Sequence, residues 1–130
     1  MDYLIDTHIL IWFTEGSNKL SKNHADIITN PKNVIYVSSV TLWEIAIKSS
    51  LNKLDLAFPF NELQNQLHSH GFVVLNQDFE DLKTLTLLPF HHGDPFDRLI
   101  ISQAITKNIN LIAQDSKFSY YEEQGLKLIK

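Results

Sequence analysis

From one end of this chain to the other, short apolar runs rich in β-branched residues alternate with stretches of helical periodicity. The runs are Tyr3 to Asp6, Val34 to Val37, Phe72 to Leu75, Leu111 to Ala113 and Leu126 to Ile129, each of a length suited to a buried strand. Helix starts between them are marked by capping residues. Ser38 or Ser39 opens Val40 to Leu51, Asp78 opens Phe79 to Leu87 ahead of Pro89, Asp94 opens Pro95 to Lys107, and Ser116 opens a short helical turn that Gly125 ends. His68 and His70 lie near a further helix end with Gly71 as its C-cap, and Asn52 to Pro59 is the irregular stretch between two helices. Strands and helices in alternation imply a parallel α/β sheet, because parallel neighbours are joined only by crossovers long enough to hold a helix.

At 130 residues the chain is long enough to bury a core without a disulfide or a structural metal, and residues 1–130 are expected to form one domain. It has no cysteine, which removes thiol mechanisms and Cys-based zinc sites and suits a reducing cytoplasm. No stretch has the order of a signal peptide and no apolar run approaches a membrane span, so a soluble cytoplasmic protein is expected. A formal charge of -4 argues against a generic basic grip on nucleic acid. A polyanionic substrate would need bound divalent cations, which turn a cluster of acids from repulsive to attractive for phosphate.

The acids then become the informative residues. Asp6 ends the first strand in YLIDTHIL and Asp115 follows the fourth in LIAQDSKF, so both should emerge at the carboxyl edge of the sheet, where α/β folds bind ligands. In HHGDPFDRLI, Asp94 followed by Pro95 is a ready helix cap, whereas Asp97 shares a helical stripe with Ile100, Ile101 and Ala104. Glu44, in VTLWEIAIK, projects with Val40, Ile47 and Leu51 toward the interior. Each acid alone has an ordinary role as a cap: Asp6 ahead of Thr7, Asp115 in rivalry with Ser116, and Glu44 in a capping box with Thr41. Capping does not predict that all four meet at one edge with two facing inward. Two like charges about 4 Å apart repel by roughly 4 kcal/mol at an effective dielectric of about 20, so either their pKa values rise or a cation binds. Oxygen donors of this kind suit Mg²⁺ or Mn²⁺, and such an ion at a phosphodiester implies hydrolysis.

Other residues add less. His91 and His92 precede the acid-bearing helix and are placed to touch a substrate phosphate, but no further soft ligand is spaced to complete a zinc site with them. Trp12 and Trp43 read as core or partner-facing aromatics rather than base-stacking platforms. Arg98, the only arginine, is expected to pair with a neighbouring acid or to reach a phosphate. The segment ILIWF and the helix bearing Trp43 carry more large apolar residues than one face needs, an excess that often marks a protein interface.

With Asp6, Glu44, Asp97 and Asp115 in hand, the chain resembles the PIN-domain nucleases, most closely the VapC-like ribonuclease toxins of bacterial toxin-antitoxin pairs. The likeness rests on YLIDTHILIWF, SSVTLWEIAIKSSLNKL, HHGDPFDRLIISQA and LIAQDSKF in that order, over nearly the whole chain. The resemblance implies a three-layer α/β/α sandwich around a parallel sheet of four to five strands, with an acidic pocket for one or two Mg²⁺ or Mn²⁺ ions. It also implies RNA as substrate, a cognate antitoxin and a homodimer. The family's four acids fall on Asp6, Glu44, Asp97 and Asp115, and the DPFDR form of the third motif includes Asp94, here chiefly a helix cap. Thr7 and Ser116 stand where members carry a hydroxyl supporting the ligands. The expected mechanism has Asp6, Asp97 and Asp115 holding the principal ion while Glu44 supports it or positions the attacking water. A non-catalytic partner-binding module of the same fold and a metal-dependent DNA nuclease are the alternatives.

Overall fold

A computed structural model describes residues 1–130. Five strands, β1 (Asp2–Ile5), β2 (Val34–Ser38), β3 (Val73–Leu75), β4 (Asn110–Ile112) and β5 (Lys127–Ile129), form one parallel sheet in the order β3-β2-β1-β4-β5. Six α-helices intervene: α1 (Thr7–Glu15), α2 (Lys22–Thr29), α3 (Ser39–Ser50), α4 (Glu62–Ser69), α5 (Phe79–Leu87) and α6 (Pro95–Lys107). A 3₁₀ helix, Ser116–Gln124, precedes the last strand.

The period of two along β1 splits the core. Tyr3 and Ile5 join one cluster with Ile9, Leu10, Ile28, Ile45, Leu63 and Leu67, whereas Leu4 joins another with Ile100, Ile101, Ala104, Phe118 and Tyr121. Helices α1, α2 and α4 therefore cover one face and α6 with the 3₁₀ helix the other, which gives the expected three layers. Each large apolar side chain buried completely contributes about 1.5–3 kcal/mol, and β1 supplies two, Leu4 and Ile5, at the centre of the sheet.

Sheet order positions the site. The chain builds β2 and β3 on one side of β1, then returns to place β4 and β5 on the other. The connections leaving β1 and β4 thus diverge, opening a crevice beyond their carboxyl ends. Register pairs Ile5 with Ile112, and the Asp6 N–H donates to the Ile112 carbonyl at 3.0 Å, which sets Asp6 beside the start of the Ala113–Asp115 loop.

Differences from the sequence expectations lie mostly at boundaries. Asp6 is not the last residue of β1 but the N-cap of α1, Phe72 and Ala113 fall outside their strands, and Ser38 rather than Ser39 caps α3. Asp115, not Ser116, caps the 3₁₀ helix, since its carboxylate accepts from the Lys117 N–H. His70 is the C-cap of α4, and Gly71 follows in the left-handed region at φ 70°, where a Cβ would be strained. Helix α2 was not anticipated; Ser21 caps it and Ile28 is buried, but the other helix faces are polar, so its apolar signal is short.

Candidate active site

Asp6 leaves the sheet at the end of β1 and is 1% exposed. One oxygen accepts the Ile9 N–H at 2.9 Å, and the other accepts the Gln114 N–H at 3.4 Å across the crevice. Burial pushes its carboxyl from 3.8 up to about 7; the fields of Asp97 and Glu44 add to the rise, and the two backbone bonds oppose it. Asp6 is thus both the cap that the ordinary reading foresaw and an acid reluctant to carry its charge.

Glu44 lies one turn into α3, is 3% exposed and faces inward with Val40, whereas Leu51, expected on the same inward stripe, is the exposed C-cap of the helix. Its Oε1 accepts from the Thr7 hydroxyl at 2.7 Å, and Thr7 in turn is 3.1 Å from the Thr41 hydroxyl. Glu44 closes no capping box with Thr41, because α3 starts earlier, at Ser39. Its Oε2 meets Lys48 Nζ at 2.5 Å, a partner one helical turn away that the sequence reading passed over. That hydrogen bond, with further contributions from the fields of Glu44, Asp94 and Asp97, raises the Lys48 pKa above the ordinary lysine value.

Asp97 occupies the first turn of α6, whose N-cap Asp94 accepts from the N–H groups of Phe96 and Asp97 at 2.9 and 3.1 Å. Its carboxylate meets His92 Nε2 at 2.7 Å. Burial raises the Asp97 pKa; the bond to His92 opposes the rise, while Asp94 and Glu44 add to it. Asp115 follows β4 and is the most open of the four acids, with one oxygen bonded to the Lys117 N–H at 2.9 Å and the other 3.7 Å from His92 Nε2. Ser116 stands beside it as the first residue of the 3₁₀ helix.

The four acids therefore share one edge of the sheet, but they do not form a single cage. The group whose ligand atoms all lie within 4.8 Å of one another is His92, Asp97 and Asp115. Asp6 and Glu44 are coupled to Asp97 through their fields and stand outside that tight group. His92 is what the sequence reading missed: it expected both histidines to face a phosphate, whereas His92 is buried against Asp97 and only His91 is exposed, its ring against Tyr120 and Tyr121. Adjacent histidines in a loop give no signal of which one turns inward.

Tertiary contacts decide that. The buried hydroxyl of Tyr121 donates to the Pro89 carbonyl at 2.8 Å and accepts from the N–H groups of His91 and His92 at 3.1 and 3.0 Å. Arg98 neither pairs with an acid nor reaches outward. Its guanidinium donates to the carbonyls of Leu88, Pro89 and His92 and lies 3.9 Å from the centre of the Phe90 ring, so it acts on the site by fixing the loop that carries His92. Replacing Tyr121 with Phe leaves buried N–H groups without their acceptor and should cost about 2 kcal/mol in urea unfolding; an unchanged midpoint would mean that the loop is held by other contacts.

The donor chemistry fits a hard divalent cation. Ionised carboxylates have more lone pairs than the hydrogen bonds here occupy, no thiol is available, and Asp6, whose carboxyl pKa is raised by burial with a smaller push from Asp97 and Glu44, is an anion that a bound cation would favour. His91 turns to the tyrosine rings, so no imidazole pair forms for zinc.

Known proteins share the fold that carries this site. Ribonuclease VapC22 of Mycobacterium tuberculosis is 25% identical over 114 residues, 88% of this chain and 87% of that protein. A chain of VapBC2 from Rickettsia felis, solved bound to a DNA fragment from their promoter, shares the fold with a TM-score of 0.68 at 19% identity, covering 99% of this chain and 98% of that one. A chain of FitAcB from Neisseria gonorrhoeae matches with a TM-score of 0.65 at 14% identity, covering 98% and 96%. The PIN domain family itself matches residues 3–124, from β1 through the last residue of the 3₁₀ helix and so across every acid of the crevice. The chain belongs to the PIN-domain family.

Proposed function

We propose that this protein is a metal-dependent endoribonuclease and the toxin of a toxin-antitoxin pair. The observation that carries the proposal is the meeting of Asp97, Asp115 and His92 at the crevice edge, with Asp6 and Glu44 coupled to Asp97 from behind. A Mg²⁺ or Mn²⁺ ion held by these carboxylates would supply an activated water, orientation of the phosphodiester and neutralisation of developing charge. Asp97 and Asp115 would hold it, with Asp6 as the third carboxylate at the same sheet edge. His92 keeps the Asp97 carboxylate in one orientation, as hydrogen-bonded partners do around metal ligands. Glu44, held by Thr7 and Lys48, would support the ion or position the attacking water. Asp94 and Arg98 act indirectly, through the start of α6 and the His92 loop, while Ser116 stands exposed beside Asp115, whose hydrogen bond comes from the Lys117 N–H instead.

Support for the biological role comes from the relative named as a ribonuclease and from the toxin-antitoxin complexes that share the fold. An antitoxin and a second copy of the chain are the expected partners, and exposed apolar residues such as Trp43, 57% exposed, and Leu51, 56%, offer them surface. No helix is long and apolar enough to cross a membrane. One observation favours the alternative of a non-catalytic module: Lys48 and His92 already compensate Glu44 and Asp97, so the crevice is tolerable without an ion.

The assay that separates these incubates the protein with single-stranded RNA and DNA in Mn²⁺, with and without chelator. Cleavage of RNA that chelator abolishes is expected. RNA left intact by the Mn²⁺-supplemented protein, or cut equally in chelator, would exclude the metal mechanism, and preferential cutting of DNA would change the substrate.

A further inference from the structure

The acid crevice continues into a cleft of about 260 Å³ between α1 and α3. Thr7 and Glu44 of the acid site form its buried end, His8 and Trp12 line it from α1, and Lys48 lines it from α3. His8 and Trp12 stand one helical turn apart, with ring centroids 6.1 Å apart and planes tilted by 50°. Trp12 is half-buried and packs in part on the core cluster that includes Ile9 and Ile45, so its ring is held in place rather than free to swing. It is thus neither a fully buried core residue nor an open partner-facing one.

The charge of the cleft says which part of a nucleotide would enter. Besides Glu44 it is lined by the carboxylates of the exposed residues Glu15 and Asp55, and its one lysine is already bonded to Glu44. A phosphate would meet mostly acceptors and like charge. A base would meet an aromatic surface and acceptors, the combination that proteins use for unstacked RNA bases. Guanine fits best, since it presents adjacent N–H donors on its pairing edge, whereas uracil presents one.

We infer that this cleft is the base pocket for a nucleotide flanking the scissile phosphate of single-stranded RNA, with Trp12 as its stacking platform and guanine as the preferred base. The inference rests on the nuclease function proposed above, because only cutting at the acids makes the cleft a neighbour of the scissile bond.

Binding can be tested without cleavage. Fluorescence anisotropy of labelled RNA hexamers with the Asp97→Asn protein in Mn²⁺ reports affinity for an all-uridine strand and for the same strand carrying one guanosine. The guanosine strand is expected to bind about tenfold tighter. Adding Trp12→Ala should weaken its binding about tenfold, the effect of losing one base stack, while Trp12→Phe retains most of the affinity. Equal binding of the two strands overturns the base preference. Unchanged affinity on Trp12→Ala overturns the pocket and leaves the cleft to a protein partner.

Should Trp12→Ala fail to fold, the Trp43→Phe protein keeps Trp12 as its only tryptophan; quenching of its fluorescence by the guanosine strand is expected, and no response overturns the pocket. The two proposals fail separately. Wild-type protein that cuts RNA, with Trp12→Ala binding like its parent, removes the pocket alone; protein inert toward RNA in Mn²⁺, with Trp12 still responding to the strand, removes the nuclease and retains a base-binding cleft.

Discussion

Replacing Asp97 with Asn is expected to lower RNA cleavage by about 10²- to 10³-fold, the consequence of losing roughly 3–4 kcal/mol of charge stabilisation from a displaced or weakened metal ion. The fold should survive, for two reasons. The Asp97 N–H remains bonded to Asp94, and the shape of the side chain that meets His92 is kept. The charge that burial makes costly is also removed, since the folded-state pKa of Asp97 lies above its ordinary value. At pH 8 in chelator, the variant should therefore unfold at a temperature no lower than the wild type. Full-rate cleavage by a folded Asp97→Asn protein would exclude this carboxylate from the machinery; loss of cleavage together with collapse of the fold would be uninformative, which is why both measurements belong together.

Replacing Asp6 with Asn should raise stability, and its pH dependence has a definite sign. The Asp6 carboxyl titrates at about 7 in the folded protein against 3.8 ordinarily. Its contribution to stability is complete below pH 3.8, declines as pH rises, and is lost above about 7, by about 4 kcal/mol in all. An Asn side chain does not titrate and can still accept the Ile9 N–H through its carbonyl, although its amide no longer accepts from Gln114. A net gain of about 2 kcal/mol at pH 8 in chelator follows, a rise in midpoint of about 6 °C for a domain of this size. The gain should shrink as pH falls and be absent below about pH 4. Mn²⁺ should reverse the ranking by stabilising the wild type and not the variant. A wild-type protein whose stability is flat between pH 5 and 8 would show that Asp6 is not a reluctant anion.

Much of the fold can be read along the chain because it depends on local rules. The strand runs appear where their β-branched content placed them, and α5 and α6 span the residues that their Asp78 and Asp94 caps announced. Boundaries shifted where two local signals compete: Asp6 can end a strand or cap a helix, and the cap prevails because its oxygen reaches the Ile9 N–H. Helix α2 was hidden because only part of one face is apolar.

The acids at the carboxyl edge were legible for a related reason. In a parallel sheet, a residue just after a strand and one in the first turn of an incoming helix lie at the same edge whatever the side chains do, so order along the chain and strand direction suffice to place Asp6, Asp97 and Asp115. How those acids are compensated was decided elsewhere. Lys48 meets Glu44 one turn along the same helix, a spacing open to reading in the sequence, but His92 turns inward while His91 turns out, and Arg98 serves carbonyls rather than acids, because long-range contacts through Tyr121 select among side-chain directions that are equivalent along the chain. Periodicity carries the direction of a regular element, but a loop side chain has no period, and only the packed partners around it determine where it points.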